Sequence, residues 1–410
     1  MKILYITQYF LPETCAPSNR AYATIKHLSD SGHHVTVLTE MPNHPRGIIF
    51  KPYRKKIFIH ENMDGFDVLR TWIYTSPKKN FITRILFYIS FMIFGLLTAL
   101  LTWRDYDLVF VSSPPLFVGG IGITIKRLFP KIKFIFEVRD LWPDVAVEMG
   151  ELNNPKFIKL STKLAKECYI LADSVIPVTY YFRDEINKKG VNINKLNVVR
   201  NGTDISNWSR VQDTTDLEMK YNPDNKFVVM YAGNLGLAQG VETILKAANI
   251  LKDTKDIQFL IIGDGPEREK LHSIHKDLHL INVVFIEEQP REEIARFLSI
   301  ADCGIVPLIK SNVFKGTIPS KLFDYLACEV PVLIGVDGEA RAILEESKAG
   351  YFYEPEEHND LTEKIMLLKN RENLNQMGKI GRRFVEKNYD RKVLAAKIET
   401  IISNLLILEY

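Results

Sequence analysis

The 410-residue chain is 46% hydrophobic and 25% charged, which suits two domains of about 200 residues and excludes a disordered or low-complexity protein. Its formal net charge is only +3, yet residues 1–205 hold 27 Lys and Arg against 18 Asp and Glu, so an anionic surface or substrate is expected near the first half. Neither a zinc or RNA-binding motif nor a basic, aromatic-interleaved stretch accompanies that charge, which argues against nucleic acid.

Met1–Thr7 is a short apolar run without a small-residue cleavage site and reads as a first buried strand rather than a signal peptide. Cys15, Cys168, Cys303 and Cys328 are widely spaced. No disulfide framework or zinc site is expected, and a reducing, cytoplasmic compartment fits. Strands are predicted at Ile3–Thr7, His34–Thr39, Leu108–Ser112, Lys133–Glu137, Ser174–Val178 and Asn197–Val199. A second series follows at Phe227–Tyr231, Gln258–Ile262, Val283–Phe285, Cys303–Val306 and Pro331–Ile334. Alternation with helical patterns makes the chain α/β, with two Rossmann-like halves divided near Asn201-Gly-Thr-Asp204.

After the first strand, Pro17-Ser-Asn-Arg20 leads into a helix. Ser18 and Asn19 are able to bond a phosphate or hydroxyl and Arg20 to grip an anionic acceptor; a surface capping turn is the alternative. His33 and His34 read as surface residues. Ile85–Trp103 is nineteen residues without a formal charge, preceded by Lys78, Lys79 and Arg84 and followed by Arg104. A helix of that length, at about 28 Å, matches a bilayer core, but strands on both sides must pair in one sheet, so spanning is rejected. The segment reads as an in-plane helix with Trp103 at the interface and Phe91 and Phe94 on its inserted face; the alternative is a helix buried on the sheet. Asp105-Tyr-Asp107 precedes a strand and reads as its solvated start, not as a metal site. No other acidic or His cluster has ligand spacing, so neither metal nor cofactor is expected.

Three motifs crowd the second half. Tyr231-Ala-Gly-Asn-Leu-Gly-Leu-Ala-Gln-Gly240 ends a β-branched run in glycines before a helical pattern from Val241, where backbone amides are able to meet a diphosphate. Ile261-Ile-Gly-Asp-Gly-Pro-Glu-Arg268 is the second. In the third, Ile318-Pro-Ser-Lys-Leu-Phe-Asp-Tyr325, Ser320 is a candidate N-cap, and Lys321 and Asp324 share one helix face.

Together with Ala301–Leu308 and Cys328–Val332, these motifs resemble the C-terminal half of the family-4 retaining glycosyltransferases of the GT-B fold. Ile6–Arg20 resembles their bacterial surface-polysaccharide branch, which includes O-antigen, lipopolysaccharide and capsule enzymes. The resemblance implies two Rossmann-like domains with parallel sheets facing a central cleft. An acceptor-side domain would occupy residues 1–204, a nucleotide-sugar domain 205–385 and a crossover helix 386–410. It implies donor contacts at Gly233, Asn234, Gly236, Gln239, Lys315, Pro319, Ser320, Lys321 and Asp324, with Lys321 acting on the leaving diphosphate and Asp324 on the ribose. It also places Asp140 at the reacting sugar or acceptor hydroxyl, with Arg139 where the family often has histidine.

Departures accompany the matches. Asn234 and Gln239 stand where many members carry Arg and Lys, and Gly316 occupies the place of a sugar-side carboxylate. The implied activity is metal-independent hexosyl or N-acetylhexosaminyl transfer from a nucleotide-sugar, with UDP preferred, to a polyprenyl-linked or polysaccharide acceptor. The protein would sit peripherally on the cytoplasmic face of the inner membrane. Rival readings are a soluble transferase with a small-molecule or protein acceptor and a non-catalytic nucleotide-sugar-binding relative.

Overall fold

A computed structural model describes residues 1–407 except 79, 151 and 312. The chain forms two α/β units, Met1–Arg200 with Arg391–Tyr410, and Asn201–Asp390. Lys79 and Asn312 therefore lie outside the described residues, as do positions 408–410.

The first unit is built on β1 (Lys2–Thr7), β2 (His34–Glu40), β3 (Phe58–Met63), β4 (Phe66–Thr71), β5 (Leu108–Ser113), β6 (Lys133–Val138) and β7 (Ser174–Pro177). Their order is β3-β4-β2-β1-β5-β6-β7, parallel except for the β3/β4 hairpin. That hairpin was not predicted. Asp64 and Gly65 turn it with φ of 48° and 93°, the positive angles that a two-residue loop needs to follow strand twist. Asn197–Val199, predicted as a strand, is instead extended chain: Asn197 and Val199 donate to the carbonyls of Val175 and Pro177, beside an isolated bridge from Leu196 to Val175. Asp107 confirms its expected position, accepting from the Lys2 amide at 2.8 Å at the amino end of the sheet.

Helix α1 (Ala16–Asp30) follows β1, while α2 (Phe81–Leu101) and α3 (Val118–Leu128) flank β5 in sequence. One face of α2 is fixed to the unit through Phe91, Gly95, Thr98 and Ala99. A Cβ on Gly95 would stand 2.8 Å from Ile121 Cδ1, so α2 and α3 pack at glycine distance. Thr98 Oγ1 also donates to Thr71 Oγ1 at 3.0 Å. Ile82, Leu86, Ile93, Leu97, Leu100 and Leu101 are exposed on the other face. Phe91 is buried and Phe94 packs on Trp72 at 4.8 Å, which corrects their assignment to an outward face: the helix turns its small residues and these two rings inward.

The second unit contains β8 (Phe227–Ala232), β9 (Ile257–Ile262), β10 (Val283–Ile286), β11 (Cys303–Pro307), β12 (Val332–Gly335) and β13 (Gly350–Phe352). The order β10-β9-β8-β11-β12-β13 is wholly parallel. Strand order reverses between β8 and β11, where doubly wound sheets bind ligands at their carboxyl ends. Helix α4 (Glu242–Ile250) follows β8, and α5 (Ser320–Ala327) lies between β11 and β12. The unit ends at Asp390, after a helix over Leu374–Tyr389 whose Arg382 bonds the carbonyls of Trp208 and Ala327. The last helix, α6 (Arg391–Ile407), belongs to the first unit, where Leu394, Ile398 and Ile402 join Ala21, Ile25 and Leu28 in one core. His27 and His33 of the α1 region both reach Glu399 of α6, at 2.7 and 3.3 Å.

Candidate functional site

The three motifs of the second unit meet at the carboxyl ends of β8, β9 and β11. Gly233 leaves β8 with φ 142°, and its amide donates to Ile262 O at 2.9 Å. Leu235 N donates to Asp264 O at 2.8 Å, and Glu267 N returns to Leu235 O at 2.9 Å. Thus the second motif is the partner of the first. This corrects part of the expected diphosphate cradle: the Gly233 amide is spent inside the protein, and α4 begins only at Glu242, past a short turn over Leu237–Gln239. The Asn234 and Gly236 amides donate to no backbone oxygen among the described residues. Beside them the side chains of Asn234 and Gln239 converge, with Asn234 Nδ2 and Gln239 Oε1 each 2.6 Å from where a Gly236 Cβ would sit.

Lys321 projects from the first turn of α5 into this turn. A Cβ on Gly233 would stand within 2.5 Å of Lys321 Nζ, so glycine is what lets the lysine arrive. Its ammonium donates to Tyr231 OH at 2.7 Å and lies 4.0 Å from the centre of the Tyr231 ring. The phenol donates onward to Asn234 O at 2.5 Å. Tyr231 therefore ties lysine and turn together. It opens the first motif, yet reading that motif for amides and charges passed over it. Although part of the Lys321 side chain reaches solvent, burial of its surroundings pushes the ammonium down to about 7, with Asp324 opposing.

Asp324, one turn further along α5, accepts from Thr203 Oγ1 at 2.6 Å. Thr203 is buried and was missed because its segment reads as a connection. Pro319, not Ser320, occupies the cap position, and no side-chain cap bond forms. Ser320 is the exposed first helical residue, because proline already supplies the extended entry that a cap needs. Lys315 is exposed and lines a cavity of about 380 Å³ with Leu308–Ser311, Phe314, Asp337 and Glu354. The loop is tied to the first motif by Ile309 N, which donates to Ala238 O at 3.0 Å.

The acceptor-side candidates lie in the first unit. Ser18 is fully buried, with its hydroxyl unpartnered among the described residues, and Asn19 is half-buried on α1. Arg20 corrects its expectation as an anion grip. Its Nε donates to Glu137 at 2.9 Å, and its terminal nitrogens serve the carbonyls of Arg200 and Val199 at 2.8 and 3.0 Å. Buried Glu137 neutralises it and accepts from Ser112 Oγ at 2.6 Å. The guanidinium is an internal tie. Arg139 is the more available cation: its Nε is buried without a partner among the described residues, and burial lowers its pKa while Glu137 opposes. Asp140 follows β6; although part of the residue reaches solvent, desolvation of its carboxyl raises its pKa while Arg139 opposes.

Two family profiles match the chain, "Glycosyltransferase Family 4" over residues 18–207 and "Glycosyl transferases group 1" over 213–384. The chain is a family-4 glycosyltransferase of the GT-B fold. This glycosyltransferase is 25% identical over 336 residues to the protein of Escherichia coli K12 named as the colanic acid biosynthesis glycosyl transferase WcaI, covering 80% of this chain and 81% of that one. It is 24% identical over 286 residues to the glycosyltransferase WbjE of Pseudomonas aeruginosa, covering 67% and 69%. Anabaena Alr3699/HepE, solved in complex with UDP and glucose, shares the fold at a TM-score of 0.70, with 16% identity over 98% of this chain and 99% of that one.

An Asp324→Ala variant of the glycosyltransferase is expected to raise the donor KM by about tenfold or more through ~1.5–3 kcal/mol of lost bonds to a charged acceptor. Steady-state kinetics with varied nucleotide-sugar check this. A folded variant with unchanged donor affinity would remove Asp324 from the candidate donor site.

Proposed function

We propose that this glycosyltransferase moves a hexosyl or N-acetylhexosaminyl group from UDP to a lipid-linked or polysaccharide acceptor in surface polysaccharide assembly, with retention and without a metal. The observation that carries the reading is Lys321, delivered over Gly233 and fastened by Tyr231 at the switch point of the second sheet. A diphosphate placed there meets one cation and the open amides of Asn234 and Gly236. During transfer negative charge grows on the leaving diphosphate, so a fixed ammonium stabilises the transition state more than the ground state. The leaving diphosphate takes the acceptor proton on the same face of the sugar. Asp324 receives the ribose hydroxyls, while Asp140 and Arg139 orient the acceptor side. The names of WcaI and the HepE complexes support polysaccharide assembly and UDP.

Nucleotide-release assays with UDP-sugars and GDP-sugars test the donor, and NMR of the product's anomeric proton tests retention. EDTA is expected to leave the rate intact. A rate abolished by EDTA and restored by Mg²⁺ or Mn²⁺ would overturn the metal-free reading.

We also infer that the enzyme rests on the cytoplasmic face of a membrane through α2. Only 17% of the most apolar 18-residue window of α2 is buried, which leaves an apolar stripe suited to lie in a lipid interface. Ile93→Asp with Leu97→Asp is expected to abolish sedimentation with anionic liposomes while the UDP-induced thermal shift persists. Wild-type protein that never sediments refutes attachment.

A further inference from the structure

The end of β6 carries a cation that no described residue answers. Arg139, the first residue past Val138, is half-buried, and its Nε is enclosed without a hydrogen-bond partner. Among the described residues no carboxylate lies within ion-pair distance of its guanidinium. A charge so enclosed gives up water and receives nothing in exchange, which is costly. A ligand anion is the partner that would settle it.

The acids around it are weakened or occupied. Glu137, two positions back, accepts from Arg20 Nε at 2.9 Å and from Ser112 Oγ at 2.6 Å, so its charge is met from α1. Asp140 follows directly, but burial raises the pKa of its carboxyl and weakens it as a counter-ion. Its backbone is held by the Trp142 amide, which donates to Asp140 O at 2.9 Å. Glu13 and Glu40 act on neighbouring Cys15, yet Glu13 accepts from the Asn43 and His44 amides, both at 2.7 Å, and Glu40 from Asn43 Nδ2 at 2.7 Å.

Helix α1 gives a second reason to expect an anion here. Its first turn holds no acidic residue, and Cys15 at its cap position feels the charge of Arg139, which opposes the rise that burial imposes on the thiol pKa. Ser18 in that turn is fully buried, with its hydroxyl unpartnered among the described residues. The positive end of a fifteen-residue helix therefore stands uncompensated beside the guanidinium.

Charge and shape together select the kind of anion. Arg139 and one helix end suit a single negative charge, whereas a diphosphate brings more than one and needs further cations. Arg20 cannot serve, being tied to Glu137 and to the carbonyls of Arg200 and Val199. The flat edge formed by Nε and a terminal nitrogen matches the two oxygens of a carboxylate. A neutral sugar would leave that edge unpaired; a hexuronate fills it and still offers hydroxyls to Asp140.

We propose that Arg139 is a specificity-determining residue that reads the carboxylate of a hexuronate, so that the acceptor is an acidic sugar whose hydroxyls fall to Asp140. The inference rests on the transferase reading above, in which this end of the first sheet serves the acceptor.

Methyl glucuronide and methyl galacturonide, titrated into the full-length protein and followed by ligand-observed NMR, are the probes. Methyl glucoside and methyl galactoside, which lack only the carboxylate, and inorganic pyrophosphate are the comparators. The uronides are expected to bind at least about tenfold more tightly than their neutral counterparts, the gain from one charge-assisted bidentate pair. Arg139→Gln should erase that preference without weakening the neutral glycosides or the UDP-induced thermal shift, and the melting temperature should hold or rise because an unpaired enclosed charge is gone. Arg139→Lys keeps the charge but not the fork, so part of the preference should return. A preference that survives Arg139→Gln would place the reader elsewhere and overturn the proposal. So would pyrophosphate that outbinds the uronides and depends on Arg139, which would mark a phosphate site, or a UDP shift lost in Arg139→Gln, which would assign the residue to the donor. Wild type that answers UDP yet binds uronides and neutral glycosides equally defeats this inference alone, whereas wild type that answers no nucleotide defeats the transferase reading beneath it.

Discussion

Lys321→Met should lower turnover by about 10²- to 10³-fold, the usual cost of removing one preorganised donor from a developing oxyanion. Donor affinity should fall less, since charge on the diphosphate grows during transfer. Methionine keeps the stem's length and apolar packing, so melting temperature is expected to hold or rise: the variant removes an ammonium that burial already disfavours. A loss confined to KM would contradict the leaving-group role. The sign of the pH effect follows from the depressed pKa. Without donor, Lys321 loses its proton as pH rises through about 7; a bound diphosphate favours the protonated form. Donor binding above that pH therefore takes up a proton, and affinity falls by up to about tenfold per pH unit until the bound-state pKa is passed. Calorimetry of UDP binding in two buffers of different ionisation enthalpy measures the uptake directly. In Lys321→Met the uptake at this site should vanish.

Gly233→Ala is expected to damage the same step while leaving every charge in place. The added methyl would fall on Lys321 Cε and Nζ, and φ 142° is strained for any L side chain. Backbone strain alone costs about 1–3 kcal/mol. Relief requires Lys321 to leave Tyr231, so donor response and turnover should drop together by about tenfold or more. A double-mutant cycle separates cause from coincidence. If the methyl acts through the lysine, Gly233→Ala adds little to Lys321→Met beyond its effect on stability; full additivity would assign the loss to the backbone alone.

Most strands were legible because period and β-branching mark buried parallel strands regardless of partners. Thus Phe227–Tyr231 and Gln258–Ile262 fall within β8 and β9 with ends shifted by a residue. The β3/β4 hairpin announced itself only through Asp64-Gly65, a signal drowned by the charged, half-exposed residues of β3. At the candidate site, residue types were readable and their partners were not. Arg20 looked like an anion grip because Glu137, its counter-ion, lies 117 positions away. Tyr231 and Thr203 gained meaning only when α5 came alongside, since hydrogen bonds over 90 and 121 residues leave no local trace. The apolar run at 85–103 was plain, but which rings faced inward depended on Gly95 meeting Ile121, a matter of packing rather than periodicity.

Because α6 completes the core around α1, the first unit is made from two stretches of chain that flank the second unit in sequence. During synthesis Ala21, Ile25 and Leu28 must wait for Leu394, Ile398 and Ile402, and the whole second unit emerges in the interval. The second unit is thus the first to have all its sequence available, and the first unit, with its exposed apolar α2 face, is the last to close. Each late Leu or Ile contributes about 1.5–3 kcal/mol on burial, so a chain stopped at Asp390 would leave α1 bare and shed His27 and His33 from Glu399. Closure of the first unit therefore waits on α6: only a chain translated through that helix completes the core around α1.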